Sequence, residues 1–258
     1  NLVHETQKER GISAGYLGSS GKKFNTNLNS QKEITIQKLN DLEFFLITIN
    51  LSKISSNSNK ILQGALADLK DIEQIRTKVK NLNLSTQDAI TYYTNINEQL
   101  LNTILTTAMV SNSPTVTNDI IAFSNFLLSK EKAGIERAIG TSTFANKKFS
   151  KGMKSKLTSL ISAQNLYMNN FLLYTNIEGK EYYQNTMRNP AVEEVNKMRS
   201  VLLDEQELAS FGVDASVWFE TISRKINLLK NIDDWKDAPV WTKNKIHIAT
   251  KSWFKYLK

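Results

Sequence analysis

Two arginines and three glutamates stand at positions that a helix would turn inward, and nothing else in the chain looks like chemistry. The segment Lys-Glu-Arg-Gly-Ile-Ser-Ala-Gly-Tyr-Leu-Gly runs from Lys8 to Gly18, and a related one, Lys-Glu-Lys-Ala-Gly-Ile-Glu-Arg-Ala-Ile-Gly, runs from Lys130 to Gly140. On a helix Arg10 shares its face with Val3, Ala14 and Leu17, while Glu9 lies above Leu2 and is followed by Ile12 and Tyr16. In the second copy Glu131 falls between Leu127 and Ile135, and Glu136 precedes Arg137, which is bordered by Ala133, Gly134, Gly140 and Phe144. Burying an unpaired guanidinium costs several kcal/mol, so each arginine must find an acid or an anion. One solution is mutual pairing, Glu9 with Arg137 and Glu131 with Arg10, which would fix the register of two helices. The other is that the arginines exceed their acids and leave a positive pocket for a small planar anion. A guanidinium fork matches carboxylate, nitrate or nitrite oxygens in plane. The two solutions can coexist, with acids orienting the arginines that grip a ligand.

Other chemistries find little support. The chain has no cysteine in its 258 residues, so disulfides, thiolate metal sites and thiol nucleophiles are excluded, while the compartment stays open. His4 and His247 are the only histidines and are far apart, which argues against a metal site or a Ser-His-Asp arrangement. An enzyme, a metal and a cofactor are therefore not expected. The net charge of +8 is concentrated at one end, where six lysines between Trp235 and Lys258 stand against Asp237 alone. With no recognition motif for bases either, nucleic acid is not an expected partner.

The elements that would position the arginines read as helices nearly throughout, consistent with only ten glycines and three prolines. About eight are expected. The first ends at Gly18-Ser-Ser-Gly21, the second covers 27–49, and a loop follows over Ser52 to Asn59. The third covers 60–81, the fourth starts at the capping-box-like Ser85-Thr-Gln-Asp88, and the fifth follows Asn112-Ser-Pro114 and carries the second copy. The sixth covers 151–175, Asn189-Pro190 opens a seventh, and Asp214 caps the eighth. Helices of this length joined by short loops imply an all-α fold of antiparallel bundles. The offset of the two copies, almost half the chain, suggests two similar helical hairpins brought together. No stretch is long and apolar enough to span a bilayer and no signal peptide is present. The chain begins without Met inside a helical pattern, as a piece cut from something longer would.

At these residues the chain resembles the nitrate- and nitrite-sensing, or NIT, domain of bacterial chemoreceptors, sensor kinases, cyclases and antiterminators. Leu2-Val-His-Glu-Thr-Gln-Lys-Glu-Arg-Gly-Ile-Ser-Ala-Gly-Tyr-Leu-Gly18 resembles the family's opening signature, and Lys130-Glu-Lys-Ala-Gly-Ile-Glu-Arg137 its central one. Trp218-Phe219-Glu-Thr221-Ile-Ser-Arg224-Lys-Ile226-Asn-Leu-Leu229 is similar to its closing one. The resemblance covers 1–234. It implies two stacked four-helix bundles sharing long helices, anion contacts at Arg10, Arg137 and Arg224, and further help from Lys8, Lys132 and the Thr221 hydroxyl. It also implies an extracytoplasmic sensory domain, dimeric within a membrane receptor such as a chemotaxis protein or histidine kinase, which binds nitrate or nitrite and signals by helix rearrangement. Arg224 has a competing surface partner in Glu220, one turn earlier, and Trp218 and Phe219 read first as core anchors. The tail 235–258 departs from the family pattern, being either an amphipathic membrane-surface segment or without function. A different class of function also fits the residues: a helical scaffold or interaction module whose buried ion pairs only set register.

Overall fold

The computed structural model describes residues 1–48, 55–107, 114–204 and 213–234. The basic tail 235–258 and part of the Ser/Asn-rich stretch lie outside the described residues. Among the described residues there are ten helices and no strand: α1 (Leu2–Gly18), α2 (Asn25–Thr48), α3 (Ser56–Lys70), α4 (Ile72–Lys80), α5 (Thr86–Thr107), α6 (Pro114–Asn146), α7 (Met153–Tyr174), α8 (Ile177–Met187), α9 (Pro190–Leu203) and α10 (Ala215–Asp233). Two breaks separate this from the eight expected. The third helix divides at Asp71, and a turn at Thr175 lets the Asn176 side chain accept from the Gly179 N–H at 2.8 Å, so that an extra short helix begins. The expected loop ends sooner than its composition suggests, because Ser55 caps α3 by accepting from Ser58 N at 3.0 Å. α1 does end at Gly18, but Ser20 and Gly21 are the residues that take positive φ, at 51° and 78°.

Ser85, Asn189 and Asp214 each supply a side-chain cap, accepting from Asp88 N, Ala191 N and Ser216 N respectively. Those caps set where α5, α9 and α10 start. α1, α2, the broken pair α3–α4 and α5 form one up-down-up-down bundle; α6, α7, the broken pair α8–α9 and α10 form the other. The bundles meet where α1 lies along α6. These two helices run parallel, since Gln7 meets Glu131, Gly11 meets Arg137, and Gly15 meets Thr141. Having neighbours from both bundles, α1 is buried nearly all round, which is why a helix this polar shows no single apolar stripe.

One contact fixes α6 against α10. Trp218 is completely buried, donates its indole N–H to the Arg137 carbonyl at 3.0 Å, and lies flat against Gly140. A methyl at Gly140 would sit 2.5 Å from indole atoms, a contact that a rigid, enclosed ring cannot relieve by turning. Gly140→Ala is expected to cost about 1–3 kcal/mol, read as a lower midpoint in urea or thermal unfolding; a midpoint equal to the parent's would show that the two helices are not locked there.

Candidate functional site

The seam between α1 and α6 holds the charges that the sequence turns inward. Glu9, wholly buried, does not pair with Arg137. It leans toward its own bundle, where Arg76 of α4 grips it with two bonds, Nε to Oε1 at 2.7 Å and Nη2 to Oε2 at 2.8 Å. Tyr93 of α5 donates to the same carboxylate at 2.9 Å. Glu136 does the corresponding thing in the second bundle, held by the Nε and Nη2 of Arg199 on α9 and by the Gln164 amide at 2.7 Å. Burial pushes the Glu136 carboxyl up, but the bonds and charge of Arg199 prevail and hold it below the ordinary carboxylate range. The reason for the changed partner is side-chain direction: neighbours in sequence diverge by about 100° on a helix, so Glu9 and Arg10 cannot both face α6.

Arg10 is the residue of that pair that crosses the seam. It is fully buried, binds Glu131 through Nη1 and Nη2, and donates from Nη1 to the Thr94 hydroxyl at 2.9 Å. Gln7 and Asn97 also donate to the Glu131 carboxylate, at 2.6 and 3.4 Å. Gly134 gives the room, since a methyl there would come within 2.7 Å of the Arg10 guanidinium.

Arg137 is the exception. It too is fully buried and donates from Nη1 to a hydroxyl, Ser223 of α10, at 2.8 Å. The ring of Phe219 lies 5.0 Å from its guanidinium carbon, and Gly11 of α1 lets its Nε approach the helix backbone. Yet no carboxylate reaches it, and its Nε and Nη2 have no hydrogen-bond partner. Burial, and then the charge of Arg10, pull its pKa down to about 9, which still leaves a cation at neutral pH. Arg10 Nε is also without a partner. The arrangement is a water-poor guanidinium with one complete side-on edge, two parallel N–H groups, unused.

The other candidate residues are not gathered here. Lys8 is 3.5 Å from Glu5, and Lys132 is 3.0 Å from Glu98. Arg224 extends over the outer face of α10, its side chain 61% exposed, and pairs with Glu194 of α9 at 2.9 Å rather than with Glu220. It also donates to the Thr221 hydroxyl at 3.1 Å, so that this pair belongs to the α9–α10 contact and not to the seam. Beside the seam a cleft of about 120 Å³ is lined by His4, Gln7, Leu101, Leu127, Lys130 and Asp233, with Lys130 and Asp233 paired at 2.6 Å. No group of histidine and acid side chains suited to a metal exists among the described residues.

Sequence reasoning missed Arg76 and Arg199, and a signal for them was present. Arg76 lies four residues after Ile72 and three before Val79; Arg199 lies four after Val195 and three before Leu202. All four flanking residues are buried, so each arginine sits in the middle of an inward stripe, 123 positions apart.

The chain matches the family described as "Nitrate and nitrite sensing" over residues 1–234. It is 23% identical over 235 residues to a nitrate regulatory protein of Klebsiella oxytoca, a stretch that covers 90% of this chain and 58% of the relative. Its fold is similar to the solved structure of the NasR transcription antiterminator, with a TM-score of 0.82 and 23% identity over 90% of this chain and 62% of that one. The chain thus spans less than two thirds of the length of either. Both relatives are named as regulators, which overturns the expectation of an extracytoplasmic input domain in a chemotaxis or kinase receptor. Among the described residues no helix is long and apolar enough to cross a membrane. The expectation that nucleic acid is not a partner is in weak conflict with the similarity to a transcription antiterminator. By its match over 1–234, the chain belongs to the nitrate- and nitrite-sensing (NIT) family.

Proposed function

We propose that this chain is the ligand-binding part of a regulator, and that nitrate or nitrite binds at the α1–α6 seam on the free Nε/Nη2 edge of Arg137. The observation that carries the reading is the contrast among four inward-turned arginines: Arg10, Arg76 and Arg199 each have a carboxylate, and Arg137 has none. A planar anion offers two coplanar oxygens to that edge, relieves an uncompensated buried charge, and gains from the low polarity around Phe219. Arg10 contributes its unpartnered Nε from the facing helix, while Glu131, Gln7 and Asn97 hold Arg10 in place. A register-setting scaffold accounts for the three satisfied arginines but not for the fourth.

Binding would act on the helices because the site is made from both bundles: Arg10 from α1, Arg137 from α6 and Ser223 from α10. A ligand that prefers one packing of these helices shifts the population toward it, and couplings of about 1–3 kcal/mol are typical. The reaction is recognition, and none of the seam residues is assigned a bond-making step.

Calorimetric titration of the chain with nitrate, nitrite, chloride and sulfate tests the reading. The parent is expected to bind nitrate or nitrite in preference to chloride and sulfate, and to melt higher with ligand, by about 2.7 kcal/mol of added stability at a hundredfold excess over Kd. Arg137→Ala should keep its helical circular dichroism and lose the binding; a variant that binds like the parent would rule the site out. Arg224→Ala, altering only the outer α9–α10 pair, should bind with the parent's affinity, and a loss of tenfold or more would move the site toward α10.

A further inference from the structure

The two bundles repeat each other more closely than the Lys8 and Lys130 segments do. In that alignment the Lys-Glu pairs coincide and Arg10 falls opposite Lys132. In the fold a different register holds, in which Glu9-Arg10 corresponds to Glu136-Arg137, 127 positions on. Each glutamate of this pair is gripped by an arginine from the fourth or ninth helix, Arg76 or Arg199. Each arginine donates its Nη1 to a hydroxyl on the last helix of its own bundle, Thr94 at 2.9 Å or Ser223 at 2.8 Å. Those hydroxyls are themselves equivalent, each nine residues beyond its helix cap, Ser85 or Asp214. The contacts across the seam keep to this register within one residue, with Gln7 against Gly134 and Gly11 against Arg137.

The ion pair across the seam does not repeat. Arg10 reaches across to Glu131, and in the same register the counterpart of Glu131 on α1 is position 4. His4 occupies it. His4 is buried to 7% exposure and its Nδ1 has no partner. We infer that His4 is the specificity-determining residue of the seam: it stands where the internal repeat would place a second carboxylate, and the small planar anion is bound as the free substitute for that missing group. This rests on the proposed nitrate or nitrite site at Arg137 and explains why that arginine, and not Arg10, is left open. It also defines the ligand chemically, as one monovalent anion with two coplanar oxygens, the shape of the carboxylate it replaces.

The surroundings of His4 agree. Burial first, then the positive charges of Lys130 on α6, Lys8 on α1, Arg137 on α6 and Lys230 on α10, push its pKa down to about 3. The imidazole is therefore neutral at pH 7 and leaves the cationic field of the seam to the ligand.

His4→Glu supplies the missing acid on a tether, and His4→Gln supplies a neutral side chain of similar size. In buffer free of oxyanions His4→Glu should melt above both the parent and His4→Gln, because a buried guanidinium gains its partner. It should bind nitrate about 100-fold more weakly than the parent, since a tethered carboxylate competes at high effective concentration. His4→Gln should retain nitrate binding within a fewfold of the parent. A His4→Glu protein that unfolds, melts no higher than His4→Gln, or binds nitrate like the parent overturns the inference. If the parent binds neither nitrate nor nitrite, the proposed function falls; a higher melting point for His4→Glu would then still show that position 4 lacks an acid.

Discussion

The neutralisation of guanidinium groups in the dry space between two parallel helices governs this structure. A buried cation without a partner costs more than one helix contact can return, so the positions of acids decide how α1 and α6 can lie. Arg76 and Arg199 secure the glutamates within each bundle, Glu131 secures Arg10 across the seam, and small residues let the helices come close enough for these bonds. Trp218 then closes the second bundle over Gly140. Packing and charge are one problem here, because the residues that allow close approach, Gly11 and Gly134, are also the ones that touch the arginines.

Much of this was legible beforehand. The helical period, the caps at Ser85 and Asp214, the helix opened by Asn189-Pro190, and the inward placement of Arg10 and Arg137 all follow from local rules that the fold leaves intact. The partner of Glu9 was not legible, since adjacent residues on a helix look in different directions and the choice between Arg76 and Arg137 depends on how α4 docks. Arg224 is the opposite case. It sits in a family-like signature, but its turn of α10 faces outward, toward Glu194, while Ser223 beside it faces the seam. The similarity of the Lys8 and Lys130 segments also pointed to a register five residues away from the one that the fold uses. A short charged string can match itself at several offsets, whereas burial selects one.

The internal repeat gives a way to see how a binding module can arise from a structural one. Two equal bundles with two equal cross-seam pairs would be a closed, fully neutralised scaffold. A neutral residue in place of one acid opens a demand for negative charge between the bundles, while the pairs within each bundle, Glu9 with Arg76 and Glu136 with Arg199, stay as they are.

Arg137 offers its side chain to the seam and its carbonyl oxygen to the Trp218 indole. Both ends of one residue are thus occupied by α10, with Ser223 at the tip and Trp218 at the root. A guanidinium that turned to meet an anion would have to release or carry Ser223, while its root stayed anchored against an indole that Gly140 gives no slack. A ligand that displaced the Arg137 side chain would therefore be felt first on α10, which holds that residue through Ser223 and Trp218.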